Sequence, residues 1–294
     1  MKIFITGGSG MLGQYLNIEL SRENRILTQY NLNSGNCPIY DSVQCNITDY
    51  SRLEGIIASF RPDVVVHTAA VSNAEKADAV PAHLVYEVNV VATEKIAKLC
   101  RENGAKMIYL STDLVYAGYR GSFLKEDSKL IPISLYAETK LMGESKIRET
   151  FDNYLILREA LLIGFGLNHS RNNFHLTYES LSAGKPVGLF SDQFRSPLSL
   201  EDAAAMISQL AGKDIKGETL NFGGRERLSR YQLGEIICEE SGFDKILLRK
   251  VTMEEAGLTY KVADVSLNTE KLISCGVEPK PIRDSIRKLL SERI

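Results

Sequence analysis

Tyr136 and Lys140, in the run Tyr136-Ala137-Glu138-Thr139-Lys140, stand four residues apart and follow Ser111-Thr112-Asp113, Tyr136 coming 24 positions after Thr112. Residues four apart on a helix share one face. An ammonium beside a phenol favours the phenolate, because an opposite charge nearby lowers the phenol's pKa from its usual value of about 10. A hydroxyl from Thr112 would hold a substrate oxygen between itself and the tyrosine. Set against a nicotinamide, such a trio would carry the proton of a hydride transfer to or from a carbonyl. Tyr-x-x-x-Lys alone is an ordinary surface-helix pattern. It gains meaning here from a glycine triplet at the start of the same chain.

That triplet lies in Thr6-Gly7-Gly8-Ser9-Gly10-Met11-Leu12-Gly13, between an apolar strand and an amphipathic helix. In such a context Gly7 permits a tight turn, Gly10 lets backbone approach a pyrophosphate, and Gly13 allows close helix–strand packing. The helix start then offers free N–H groups and a positive dipole end to phosphates. The spacing is G-x-x-G-x-x-G rather than G-x-G-x-x-G. At the end of the second strand an acidic residue would favour NAD and an arginine NADP; Gln29-Tyr30-Asn31 offers neither. The cofactor expected is therefore NADP or NAD, with the preference undecided.

The elements that must position these groups follow from periodicity. Lys2–Thr6, Arg25–Tyr30, Asp63–His67, Lys106–Leu110 and Tyr154–Leu157 read as strands. Val64-Val65-Val66 is the β-branched run of a strand covered on both faces. Leu12, Leu16 and Leu20 mark the helix after the glycine loop, and Val88–Leu99 and Tyr136–Arg148 mark two more. Strands alternating with helices predict an α/β fold, a doubly wound, Rossmann-like parallel sheet. Past residue 164 the alternation loosens: Asn168–Asn173 reads as loop, Glu201–Ala211 and Tyr231–Ser241 as helices. The expectation is a dinucleotide-binding domain over 1–164 and a smaller substrate lobe over 165–294, with segments crossing back to the sheet.

Composition bounds the function. The 294 residues carry a net charge of −2 and no basic stripe interleaved with aromatics, which excludes a nucleic-acid partner. No apolar run is long enough to span a membrane. The five cysteines are scattered and odd in number, and the four histidines form no paired motif, so neither a disulfide framework nor a metal is expected. A strand beginning at Lys2 leaves no signal peptide, and the expected location is cytoplasmic.

With these elements in place, the chain resembles the extended short-chain dehydrogenase/reductase superfamily, and within it the dTDP-4-dehydrorhamnose reductases. The likeness covers nearly the whole length. It is carried by Arg61-Pro62-Asp63 through Ala69-Ala70, Val88-Asn89, Ser111 through Tyr116, Asp192-Gln193-Phe194-Arg195-Ser196-Pro197 and Asp264-Val265-Ser266-Leu267. The resemblance implies an NAD(P)H-dependent reductase of the 4-keto group of a nucleotide-linked deoxysugar. It implies Thr112, Tyr136 and Lys140 as catalytic residues, with Tyr136 the proton donor. It implies Gly7, Gly10, Met11, Leu12, Gly13, Asn46, Ile47, Ala69 and Ala70 around the cofactor, with Tyr136 and Lys140. Tyr116 and Arg195 are candidates for the substrate, Arg195 for its diphosphate.

The departures from that family carry information too. Asn46 stands where an aspartate is usual, Arg195 where a glycine is, and Arg158-Glu159-Ala160-Leu161 lacks the expected tryptophan. Asp113 is followed by Leu114 rather than by the glutamate that a dehydratase of this type uses. The alternatives carried are a non-catalytic subunit resembling the regulatory β subunit of methionine adenosyltransferase, and a sugar-nucleotide epimerase. The partner expected is a nucleotide-sugar substrate; the oligomeric state is open, with a homodimer the assembly considered.

Overall fold

In the computed structural model, which describes residues 1–292, seven strands form one parallel sheet. They are β1 (Lys2–Thr6), β2 (Arg25–Tyr30), β3 (Ser42–Gln44), β4 (Val64–His67), β5 (Lys106–Leu110), β6 (Tyr154–Glu159) and β7 (Glu218–Phe222). Their spatial order is β7-β6-β5-β4-β1-β2-β3. The order reverses between β1 and β4, so the loops after those strands part there and leave a crevice at their carboxyl ends. The registers Thr6↔His67 and Leu110↔Leu157 bring the ends of four central strands to one level.

Alternation along the strands sorts the core into two layers. Ile3, Ile5, Val64, Val66, Ile108, Leu110, Leu155 and Leu157 face helix α1 (Met11–Leu20) on one side. Phe4, Val65, Met107, Tyr109 and Ile156 face α2 (Tyr50–Phe60), α3 (Ala92–Asn103) and α4 (Leu135–Thr150) on the other. Helix α4 begins at Ser134, whose side chain accepts from Ala137 N, and a one-turn π segment, Glu87–Val91, leads into α3.

The second half of the chain does two things. Helix α5 (Asn173–Ser182), helix α7 (Arg230–Ser241) and helix α8 (Ile282–Ser291) build a separate apolar cluster around Phe174, Ile237 and Ile286. Between them, helix α6 (Leu200–Ala211) packs on α1, and β7 pairs with β6 from Glu218↔Leu155 to Phe222↔Glu159. The loop 165–172 is tied down on α1: Gln14 Nε2 donates to Leu167 O, and Tyr15 Oη donates to Phe165 O. No helix among the described residues is long and apolar enough to cross a membrane.

Candidate active site

The crevice at the strand ends deepens into a cavity of about 1300 Å³ that runs from the glycine loop to the second lobe. At its near end, Gly7 adopts φ +69°, and a Cβ there would lie 2.7 Å from Ala69 N. A Cβ on Gly13 would lie 2.2 Å from Gly7 O. The loop is held from behind by Gln29, whose Oε1 accepts from Gly7 N at 2.9 Å and whose backbone O accepts from Gly8 N at 2.8 Å. Helix α1 starts at Gly10 with no side-chain cap, so its first-turn N–H groups remain available to an anion. Gly7, Gly10, Met11, Leu12 and Gly13 all line the cavity. This bare, Cβ-intolerant cradle fits a dinucleotide pyrophosphate.

Asn46, Ile47, Ala69 and Ala70 line the same end. Asn46 uses Oδ1 to accept from Thr48 N, a local turn that fixes its side chain. Asn89, in the π segment, clamps the loop after β4: Oδ1 accepts from Val71 N, and Nδ2 donates to Val71 O and Thr139 Oγ1. His67 is buried, held between the hydroxyls of Thr6 and Thr93, and burial pushes its pKa down to about 3. It is a neutral core residue.

Thr112, Tyr136 and Lys140 come together on the cavity wall beyond β5. The Thr112 hydroxyl donates to Asp113 Oδ1 at 3.3 Å and lies near enough to the Tyr136 phenol to favour its ionised form. Lys140 Nζ sits 4.1 Å over the ring of Tyr109. The charge balance differs from the sequence expectation. Burial raises the Tyr136 phenol well above its ordinary range, and Glu159 and Asp113 add to the rise while the Thr112 hydroxyl opposes it. Burial also pushes Lys140 down to about 7, against the pull of Glu159 and Glu144.

Arg195 also lines the cavity and is buried. Its NH1 donates to Phe194 O and Val262 O, and its Nε is 3.8 Å from Asp113 Oδ2. That Asp113 oxygen is buried without a hydrogen bond, and burial lifts the Asp113 carboxyl to about 6 despite Arg195 and Arg230. Arg230, anchored on Gln193 by a 3.0 Å bond from Nε, faces the same cavity; burial pushes it down to about 9.

Tyr116 is elsewhere. The 3₁₀ turn Asp113–Val115 rotates it into the core, where Oη donates to Asn221 Oδ1 and accepts from Arg158 NH1 at 2.9 Å. It does not line the cavity, and its candidacy for the substrate is withdrawn. Glu159 and Arg230, in contrast, line it without having been singled out from sequence. Glu159 ends a strand whose carboxyl end opens on the crevice, and that position was the one available signal.

The family model described as RmlD substrate binding domain matches residues 1–293. The β subunit of methionine adenosyltransferase 2 from Xenopus laevis is 27% identical over 296 residues, covering 98% of this chain and 87% of its own. A dTDP-4-dehydrorhamnose reductase from Aggregatibacter actinomycetemcomitans is 28% identical over 255 residues, covering 84% and 81%. Among solved structures, a dTDP-4-dehydrorhamnose reductase from Bacillus anthracis, in complex with NADP, matches with a TM-score of 0.86. Its identity is 23%, over 99% of both chains, a likeness of fold.

Proposed function

The chain belongs to the RmlD substrate binding domain family, and from that premise we propose that it is an NAD(P)H-dependent reductase of the 4-keto group of a nucleotide-linked deoxysugar. The observation that carries this reading is the convergence of Thr112, Tyr136 and Lys140 on one wall of a cavity whose other end is the glycine cradle. The cradle and the α1 N-terminus would hold the pyrophosphate, with Asn46 and Ile47 toward the adenine and Ala69 and Ala70 along the strand end. A bound dihydronicotinamide supplies the hydride.

The protein's own groups handle the proton. Thr112 Oγ1 and Tyr136 Oη together hold the substrate's carbonyl oxygen, and Tyr136 donates its proton as that oxygen gains charge. A phenol kept protonated by burial is in the right state to donate. Lys140, in its ammonium form, then stabilises the phenolate left behind. Arg195, which lines the same cavity, is assigned to the diphosphate. We divide the chain at residue 164 into dinucleotide and substrate parts, a division supported by the separate apolar cluster of α5, α7 and α8. Free cysteines at five positions fit a cytoplasmic setting.

The test is oxidation of NADH and of NADPH, measured by absorbance, against a panel of 4-keto-6-deoxy sugar nucleotides. Turnover is expected with at least one member, and Tyr136→Phe is expected to lower it by about a hundredfold or more. A Tyr136→Phe variant within a few-fold of the parent would remove the proton-donor role. One observation favours a second reading: the methionine adenosyltransferase β subunit aligns over 98% of this chain. Absence of turnover on the whole panel, together with a stable complex with a methionine adenosyltransferase catalytic subunit, would select it.

A further inference from the structure

The stretch after Asp192 and the stretch leading into α7 meet in a two-stranded antiparallel ribbon, Phe194–Arg195 against Leu228–Ser229. Leu228 lies opposite Arg195, and Ser229 opposite Phe194. The next step brings Arg230 opposite Gln193, where Arg230 N donates to Gln193 O at 3.3 Å. Side chains alternate between the two faces of such a ribbon, and residues directly opposite share a face. One face therefore carries Gln193, Arg195 and Arg230, and all three line the cavity. The other carries Phe194, whose ring centre lies 3.6 Å from the guanidinium carbon of Arg227.

The three arginines of this ribbon are answered differently. Arg227 has the Phe194 ring and the carboxylate of Asp264, with Nε 2.7 Å from Oδ2. Arg195 commits NH1 to two backbone carbonyls and points Nε at Asp113. Arg230 is fixed at its root, where Nε donates to Gln193 Oε1 at 3.0 Å. Its NH1 and NH2 have neither a hydrogen bond nor an ion pair among the described residues. The cavity wall thus presents two guanidiniums on one face, and the Asp113 carboxyl stands against one of them. Like charges set side by side into a wall are costly until an anion answers them.

We propose that Arg230 supplies the free guanidinium fork of an oxyanion site, shared with Arg195, that takes a phosphate or carboxylate group of the substrate. A guanidinium binds such groups through two parallel N–H donors. Of the two arginines on this face, Arg230 is the one with both terminal nitrogens uncommitted among the described residues. The root bond to Gln193 holds the fork before a ligand arrives, so little side-chain freedom is lost on binding. That the anion belongs to a substrate rests on the reductase reading; the anion site itself does not.

The experiment reads binding without turnover. The full chain is saturated with NADP, so that neither probe competes for the glycine cradle. Thymidine diphosphate and glucuronate are then titrated separately by isothermal calorimetry. Binding of the first marks a nucleotide's phosphates as the anion, and binding of the second a carboxylate on the sugar. Arg230→Ala is expected to weaken the probe that binds about tenfold or more, through loss of a charge-assisted fork. Arg230→Lys, which keeps the charge without the fork, is expected to recover part of that loss. Arg227→Gln removes a charge from the opposite face and is expected to leave the affinity in place. A role confined to holding the ribbon would lower the melting temperature of Arg230→Ala without moving the affinity. Failure of both probes to bind, or equal affinity in a folded Arg230→Ala protein, overturns the proposal. An equal loss in Arg227→Gln overturns it too, because net charge rather than the fork would then carry the binding. A weakened probe in a protein that reduces no keto sugar nucleotide upholds the anion site and counts against the reductase reading alone.

Discussion

Gly13→Ala and Gly55→Ala make the same change in two helices and are expected to have opposite effects. Both glycines lie inside α-helices, α1 and α2, where alanine is favoured over glycine by about 1 kcal/mol. At Gly55 the added methyl meets nothing within 4 Å, so the propensity gain is realised at about 0.5–1 kcal/mol. At Gly13 the methyl would meet Gly7 O at 2.2 Å, Gly8 Cα at 2.7 Å and Gly8 C at 2.9 Å. All three are backbone atoms, and Gly8 is hydrogen-bonded to β2 behind it. Relief by side-chain rotation is closed, so the loop and α1 must separate. Overpacking of this kind costs about 1–3 kcal/mol, which exceeds the propensity gain. The displaced cradle is also the one assigned to the pyrophosphate, so dinucleotide affinity should fall about tenfold or more, equivalent to about 1.4 kcal/mol. Urea denaturation reads the stabilities, and NADPH fluorescence titration reads the affinity. A Gly13→Ala protein as stable as its parent and binding as tightly would refute the packing argument, with Gly55→Ala showing what an unobstructed methyl does.

Two further outcomes follow from the site. Arg195→Ala is expected to raise the KM for a nucleotide sugar about tenfold with kcat largely retained, because a guanidinium binds phosphate oxygens rather than the reacting carbonyl; an unchanged KM would remove the diphosphate assignment. His67 is a base whose folded pKa, about 3, lies below its unfolded value of 6.5. The unfolded chain binds the proton first, so the stability held by neutral His67 is complete above about 6.5 and drains as pH falls toward about 3. The urea midpoint of His67→Gln should accordingly fall less steeply with acidification across that window, and an identical slope would show that His67 does not titrate there.

The parts of this fold that could be read from sequence are those set by local pattern. β1, β2 and β5 lie where periodicity placed them, residue for residue, because each is a short apolar run between turn signals. β3 and β7 escaped notice. Ser42–Gln44 is three residues long at a sheet edge, and Glu218–Phe222 belongs to the sheet only through pairing with a strand some sixty residues earlier. The same distinction governs the site. Thr112, Tyr136 and Lys140 were legible because their spacing lies within one strand–helix unit. Glu159 was not, since its place beside Thr112 depends on the register between two strands. Arg230 depends on how the second lobe folds over the sheet. Tyr116 misled because its position along the chain, just after Thr112, hides the turn that rotates it onto Arg158.

The register that brings Glu159 beside Thr112 also bears on which reaction the cavity can run. Eliminating water from a sugar requires an acid and a base free to exchange protons with carbon and oxygen, and Leu114 can be neither. The cavity still contains two carboxyls near Tyr136, Asp113 and Glu159, and an acid–base pair could in principle be assembled across strands. Asp113 faces Arg195 at 3.8 Å, and burial lifts its carboxyl to about 6 despite Arg195 and Arg230. Burial likewise lifts the Glu159 carboxyl to about 8, so neither acid is held as a carboxylate by a cation. What disfavours elimination is the position after Asp113: Leu114 can neither give nor take a proton, and the phenol of Tyr136, on the same wall as Thr112, is the donor that carbonyl reduction requires.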